Sequence, residues 1–164
     1  EYRTFIFDYA QRLAKGVDLP VKIRFHGWLI KSLGYKNSRV PCGAGRTFFA
    51  VGPKGDIYPC FRFVGLSKYE LGNLSGISPE RAKWFRAHSG LSYEQRTQCR
   101  DCWAAPLCGG ACYACADLIG SDAPLPSYCE IVLIESEAAL WLATYLRDNN
   151  PERLIKLMGI EIDV

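Results

Sequence analysis

Eight cysteines in 164 residues constrain this chain more than any other feature. Cys42 is followed after twelve residues by Gly55 and after four more by Cys60. Then come Cys99-x2-Cys102-x5-Cys108-x3-Cys112, with Cys115 and Cys129 beyond. Disulfide frameworks are mostly short, secreted and poor in core residues. Here 49% of residues are hydrophobic and 13% aromatic, which is enough for an ordinary core. No secretory signal is visible, so the cysteines read as metal ligands in a reducing compartment, the cytoplasm. Zinc is the simplest metal to test against the spacing. Cys99-x2-Cys102 and Cys112-x2-Cys115 make a four-cysteine pattern with nine residues between the pairs, shorter than in most zinc ribbons. That reading strands Cys42, Cys60, Cys108 and Cys129, so a zinc-binding structural module remains only as an alternative.

The length fits one folded unit, and the chain begins at Glu1 without a basic, apolar leader or an apolar run near membrane length. It therefore reads as soluble and cut from something longer. The formal charge of +3 ignores the thiolates. Four thiolates on a cubane core leave roughly −2 per site, and two such sites turn +3 into about −1. Lys and Arg are scattered rather than gathered into a stripe, which excludes a nucleic-acid binder.

Apolar residues at Phe5, Ile6, Tyr9, Ala10 and Leu13 predict a helix from Tyr2 to Lys15 that stops near Gly16. Val21 to Phe25 alternates like a short strand, and His26 to Leu33 fits a strand end or a helix equally. Thr47–Val51 and Asp56–Tyr58 flank Gly52-Pro53-Lys54-Gly55, a turn signal, so Cys42 and Cys60 bracket a β-hairpin. Ser78-Pro79-Glu80 opens a helix through Phe85, with Ser as N-cap and Pro at the first helical position. Leu133, Ile134, Glu137, Ala138, Trp141, Leu142 and Tyr145 predict a helix over 131–146, with Cys129 at its start. The expected fold class is α+β, with a small β-hairpin and cysteine-rich loops between N- and C-terminal helices. Its organisation is a helical lead-in over 1–41, the cysteine domain over 42–129 and C-terminal helices over 130–164, in a single folded unit.

At these cysteines and Gly55 the sequence resembles the SPASM domain of radical S-adenosylmethionine enzymes, whose pattern is C-x9–15-G-x4-C, gap, C-x2-C-x5-C-x3-C, gap, C. The resemblance implies two cubane (4Fe-4S) clusters with interleaved ligands. Cys99, Cys102, Cys108 and Cys129 hold the outer one; Cys42, Cys60 and Cys112 hold the inner one. Some members carry a further cysteine just before the first, but residues 34–41 hold none. Cys115 is the extra thiol, and in a helix it lies one turn from Cys112, able to complete the inner set. Cys108-x3-Cys112-x2-Cys115 also spells the ligand string of the radical-generating cluster. That match is a coincidence, because Ala114 stands where that family has an aromatic and the chain is too short for the barrel that string needs.

Trp103, Phe48, Phe49, Tyr58 and Phe61 flank cysteines and are expected to shield clusters from water. Arg46 and Arg62 are candidate contacts to an anionic cluster, though surface charge is the commoner role. His26 and His88 fall outside the cysteine spacing and are not assigned as ligands. The segments Pro41-Cys42-Gly43-Ala44-Gly45, Gly55-Asp56-Ile57-Tyr58-Pro59-Cys60, Leu71-Gly72-Asn73 and Cys102-Trp103-Ala104 are most similar to maturases of ribosomally made peptides, notably those that install thioether crosslinks. Relatives instead oxidise sulfatase active-site residues. In these enzymes an N-terminal barrel of the same polypeptide binds S-adenosylmethionine and carries the catalytic residues. The implied partners are that barrel, a peptide or protein substrate, and an electron donor or acceptor such as ferredoxin or flavodoxin. A free-standing ferredoxin-like electron carrier is the rival reading.

Overall fold

The computed structural model describes residues 1–19, 25–33, 39–121 and 124–159. In chain order the elements are α1 (Tyr2–Ala14), α2 (Phe25–Ser32), β1 (Ala50–Val51), β2 (Asp56–Tyr58), β3 (Gly72–Asn73), β4 (Gly76–Ile77), α3 (Pro79–His88), α4 (Ala105–Cys108), α5 (Tyr113–Asp117), α6 (Pro126–Asn149) and α7 (Pro151–Met158). Single 3-10 turns lie at Phe61–Phe63, Ser67–Tyr69 and Tyr93–Gln95. This is an α+β chain, as its sequence pattern predicts. It divides into two compact units, one formed by 1–37 with 126–164 and the other by 38–125.

The first unit is helical. Ile6, Tyr9, Ala10 and Leu13 recur at helical spacing and form the buried stripe of α1. Against α6 pack α1, α2 and α7. Ala138, Ala139 and Ala143 on the buried side of α6 let neighbouring backbones come close, while Leu142 and Leu146 fill the space between. α6 begins five residues before the predicted Ile131, so Cys129 lies inside its first turn. At α7, the Asn150 side chain accepts from the Arg153 amide at 3.0 Å and Pro151 takes the first helical position. The segment 26–33, open between helix and strand on sequence grounds, is helical through Ser32 as part of α2 (Phe25–Ser32). The strand expected over 21–25 falls mostly on residues outside the described set.

The second unit carries the sheet, in the order β1-β2-β3-β4 with every pairing antiparallel. The predicted hairpin is β1–β2, in register Ala50↔Tyr58. Gly55 in its turn has φ 83°, a conformation that costs glycine nothing. The sequence did not reveal that β3 and β4 extend this hairpin into a four-stranded sheet. The Ser78 hydroxyl accepts from the Arg81 amide at 3.2 Å, so α3 starts where predicted, and it runs to His88. Phe63, Tyr69, Leu71, Phe85 and Tyr113 form the core under the sheet. Phe63 stacks close on Tyr69, with ring centroids 4.3 Å apart, and meets Phe85 edge-on at 5.7 Å.

Candidate metal centre

Cys42 sits in a loop wound on itself. The amides of Arg46 and Thr47 donate to the Gly43 carbonyl at 2.9 and 2.8 Å. The Gly45 amide donates to the carbonyl of Pro59 at 3.0 Å, which ties this loop to the residue before Cys60. Cys60 itself leaves β2 in an extended conformation and caps the turn Phe61–Phe63. Its sulfur faces the amides of Arg62 and Phe63, donors that favour the thiolate. Cys112 caps α5, and Cys115 follows one turn later in that helix. The helix is shorter than the span 109–119 that would place the two together, because Gly109, Gly110 and Ala111 all adopt left-handed backbone, at φ 77°, 98° and 68°. Gly109 is required there, since a Cβ would stand 2.4 Å from the Val40 carbonyl oxygen.

These turns bring Cys42, Cys60, Cys112 and Cys115 into one electrostatic neighbourhood. Burial raises the Cys60 thiol pKa, and the nearby Cys112 and Cys42 raise it further. Cys115 is raised by burial first and then by Cys112, while Arg62 pulls the other way. The Arg62 guanidinium reaches the Cys115 sulfur, with Nη1 at 3.6 Å. Burial and neighbouring thiols thus favour the protonated form of Cys60 and Cys115; a metal centre reverses this by displacing the protons. Such a donor set fits a cubane cluster, which takes one thiolate per iron. None of the eight cysteines is in a disulfide. Among the described residues no three His, Cys, Asp or Glu side chains are gathered to hold a single metal ion.

Cys99, Cys102 and Cys108 lie on consecutive turns. The Cys99 amide donates to Arg96 O at 3.0 Å, the Cys102 amide to Cys99 O at 3.1 Å and the Cys108 amide to Ala104 O at 2.8 Å. The Cys108 sulfur accepts from the Ala111 amide at 3.3 Å. Cys129 belongs to the other unit, in the first turn of α6.

Of the aromatics expected to shield the cysteines, only Tyr58 is buried. Phe48, Phe49, Phe61 and Trp103 are exposed, Phe61 to 73%. His88 stacks on Trp84 and its Nδ1 lies 2.9 Å from the Trp84 carbonyl oxygen. Sequence reasoning missed two residues beside the inner thiols. Tyr113 follows Cys112 and is 1% exposed, and the buried Arg96 guanidinium lies 5.3 Å over its ring. The adjacency of Tyr113 to Cys112 was visible; nothing in the spacing marked Arg96.

Residues 42–103 match the family model of SPASM, an iron-sulfur cluster-binding domain. An uncharacterized protein of Archaeoglobus fulgidus is 41% identical over 76 residues, 45% of this chain and 18% of its own length. Among solved structures, native anSMEcpe with bound AdoMet is 26% identical with a TM-score of 0.60, over 90% of this chain and 42% of that one. The histidine-tagged form with bound AdoMet gives 24% and 0.61, over 97% and 44%. The chain thus spans less than half the length of the solved proteins it matches.

Proposed function

We propose that this chain is the auxiliary-cluster portion of a radical S-adenosylmethionine maturase acting on a peptide or protein. In this reading Cys42, Cys60, Cys112 and Cys115 ligate an inner 4Fe-4S cluster. Cys99, Cys102 and Cys108, with Cys129 assigned from the family pattern, ligate an outer one. The observation that carries the reading is the match of residues 42–103, which hold Cys42, Cys60, Cys99 and Cys102, to the iron-sulfur cluster-binding SPASM model; the mutual electrostatic influence of Cys42, Cys60, Cys112 and Cys115 supports it. The likeness to an AdoMet-bound enzyme of more than twice the length supports a preceding S-adenosylmethionine-binding barrel in the same polypeptide. It also favours this over a free-standing electron carrier.

Such clusters, when bound, take up and release single electrons or offer an iron to a ligand. The chain's own part is to place thiolates, donate amides to sulfur and supply cations beside them. The exposed Phe48, Phe49, Phe61 and Trp103 would then face the barrel or the substrate. The reading extends to electron exchange with a ferredoxin or flavodoxin and to the substrate of the whole enzyme.

Anaerobic reconstitution followed by metal analysis tests it. About eight irons per chain are expected, as two four-iron clusters require. One equivalent of zinc with little iron under those conditions overturns it in favour of a structural zinc module.

A further inference from the structure

Arg62 is exposed, yet its guanidinium is paired with no carboxylate among the described residues. It turns instead to the Cys115 sulfur, 3.6 Å from Nη1 and 53 residues away in sequence. The Phe61 ring lies against the same guanidinium, with its centroid 5.5 Å from Cζ. Both ends of the contact are anchored. On one side the Phe63 amide donates to Cys60 O at 3.0 Å and the Val64 amide to Phe61 O at 3.3 Å, and the Phe63 side chain is fully buried. On the other, Cys115 sits in α5 between the buried Ala114 and Ala116. The bond therefore joins the turn after Cys60 to the helix that follows Cys112.

A neutral thiol is a weak acceptor, and a hydrated arginine gains little by turning to it. Thiolate sulfur on iron carries negative charge and accepts a charge-assisted bond, roughly twice as strong as a neutral one. The contact thus acquires its strength with Cys115 on metal. Four thiolates leave a cubane centre at roughly −2, and one electron from an outside donor takes it to roughly −3. A cation fixed beside one sulfur is attracted more strongly to the second state than to the first. Hydrogen bonds to cluster sulfur act in the same direction and are among a protein's means of setting potential.

We propose that Arg62 is a positioning residue of the inner site, whose Nη1 donates to the Cys115 sulfur on iron and biases the bound cluster toward its reduced state. This rests on the cluster reading given above, with Cys115 as the fourth inner ligand.

The experiment compares the anaerobically reconstituted parent with Arg62→Met, which removes charge and donors, and Arg62→Lys, which keeps the charge without the planar fork. Arg86→Met removes one exposed charge elsewhere and serves as the control. Iron content and an electron paramagnetic resonance redox titration are measured, and the inner signal is identified as the one that Cys60→Ala abolishes. In Arg62→Met the inner midpoint should fall by at least a tenfold change in the one-electron equilibrium, 59 mV, while the outer midpoint stays in place. Arg62→Lys should lie between Arg62→Met and the parent, and Arg86→Met should match the parent. Arginine labelled with heavy nitrogen should give the parent's inner signal a nitrogen coupling that Arg62→Met lacks. Coincident inner midpoints with full iron, or equal shifts in Arg62→Met and Arg86→Met, overturn the inference alone. Should Arg62→Met load no inner cluster, Arg62→Lys carries the comparison, and an inner midpoint equal to the parent's overturns the inference. Absence of iron from the parent overturns the cluster reading and the inference with it.

Discussion

Cys115 and Arg62 stand 53 residues apart in sequence, yet the guanidinium Nη1 comes within 3.6 Å of the sulfur. A cation beside a thiol favours the thiolate, so the contact works against burial and Cys112, which both hold the proton on. That opposition suits a residue meant to ligate metal and is wasted on an inert buried thiol. Cys115→Ala is therefore expected to keep the outer cluster while changing the inner one. Iron should fall or the inner paramagnetic spectrum should shift, and the variant should respond to added thiol where the parent does not. An unaltered spectrum, iron content and thiol response would leave Cys115 a bystander and the inner iron open. The i, i+3 spacing of Cys112 and Cys115 was legible in the sequence. Arg62 was legible as a candidate contact to an anionic site, but not its pairing with Cys115, which depends on the turn after Cys60 bringing that side chain to α5.

At the scale of elements, periodicity and capping chemistry gave away α1, α3 and α6, whereas β3 and β4 left no trace. Two-residue strands are too short to show alternation; their pairing Gly72↔Ile77 is dictated by β2 beside them. α7 carries its own signal in Asn150-Pro151, but its tie to the rest of its unit is tertiary. Arg153, nearly buried, donates to Leu13 O at 3.3 Å and Val17 O at 2.9 Å, satisfying carbonyls at the end of α1, and pairs with Asp18 at 2.6 Å. Arg153→Met should cost about 2 kcal/mol, the scale of charged hydrogen bonds lost from partly buried acceptors, read by chemical denaturation. Asp18 is held below the ordinary carboxylate range, first by its bond to Arg153 and then by Lys156. A depressed carboxylate contributes stability above its unfolded pKa of about 3.9 and loses it as pH falls through the lower folded value. Asp18→Asn should accordingly be less stable than the parent at about pH 6, with the gap closing toward about pH 2. A gap that persists unchanged in acid would show that charge is not what Asp18 supplies.

Over the whole molecule, the two units draw on different sources of order. The unit of 1–37 and 126–164 has long helices with continuous apolar stripes, and its core forms from side chains alone. The unit of 38–125 has strands of two or three residues, one helix of ten residues beside two of four and five, and three consecutive left-handed residues between Cys108 and Cys112. Its aromatic core around Phe63 and Phe85 covers one side of the sheet, while the cysteine turns rest mostly on local backbone bonds. Sequence spacing made the ligand candidates of that unit plain, since cysteine patterns survive without regular structure around them. The path of its loops was hidden for the same reason. Where backbone order depends on metal, binding free energy is folding free energy. Removing iron from the loaded chain with a chelator should therefore leave the amides of 2–14 and 132–158 protected from exchange. Those of 41–48 and 99–117 should exchange faster by a factor of ten or more, equivalent to about 1.4 kcal/mol of lost local stability. Amide exchange followed residue by residue separates the outcomes. Equal protection of 99–117 with and without iron would mean that the turns are folded by their own contacts and that the thiols merely receive what they bind.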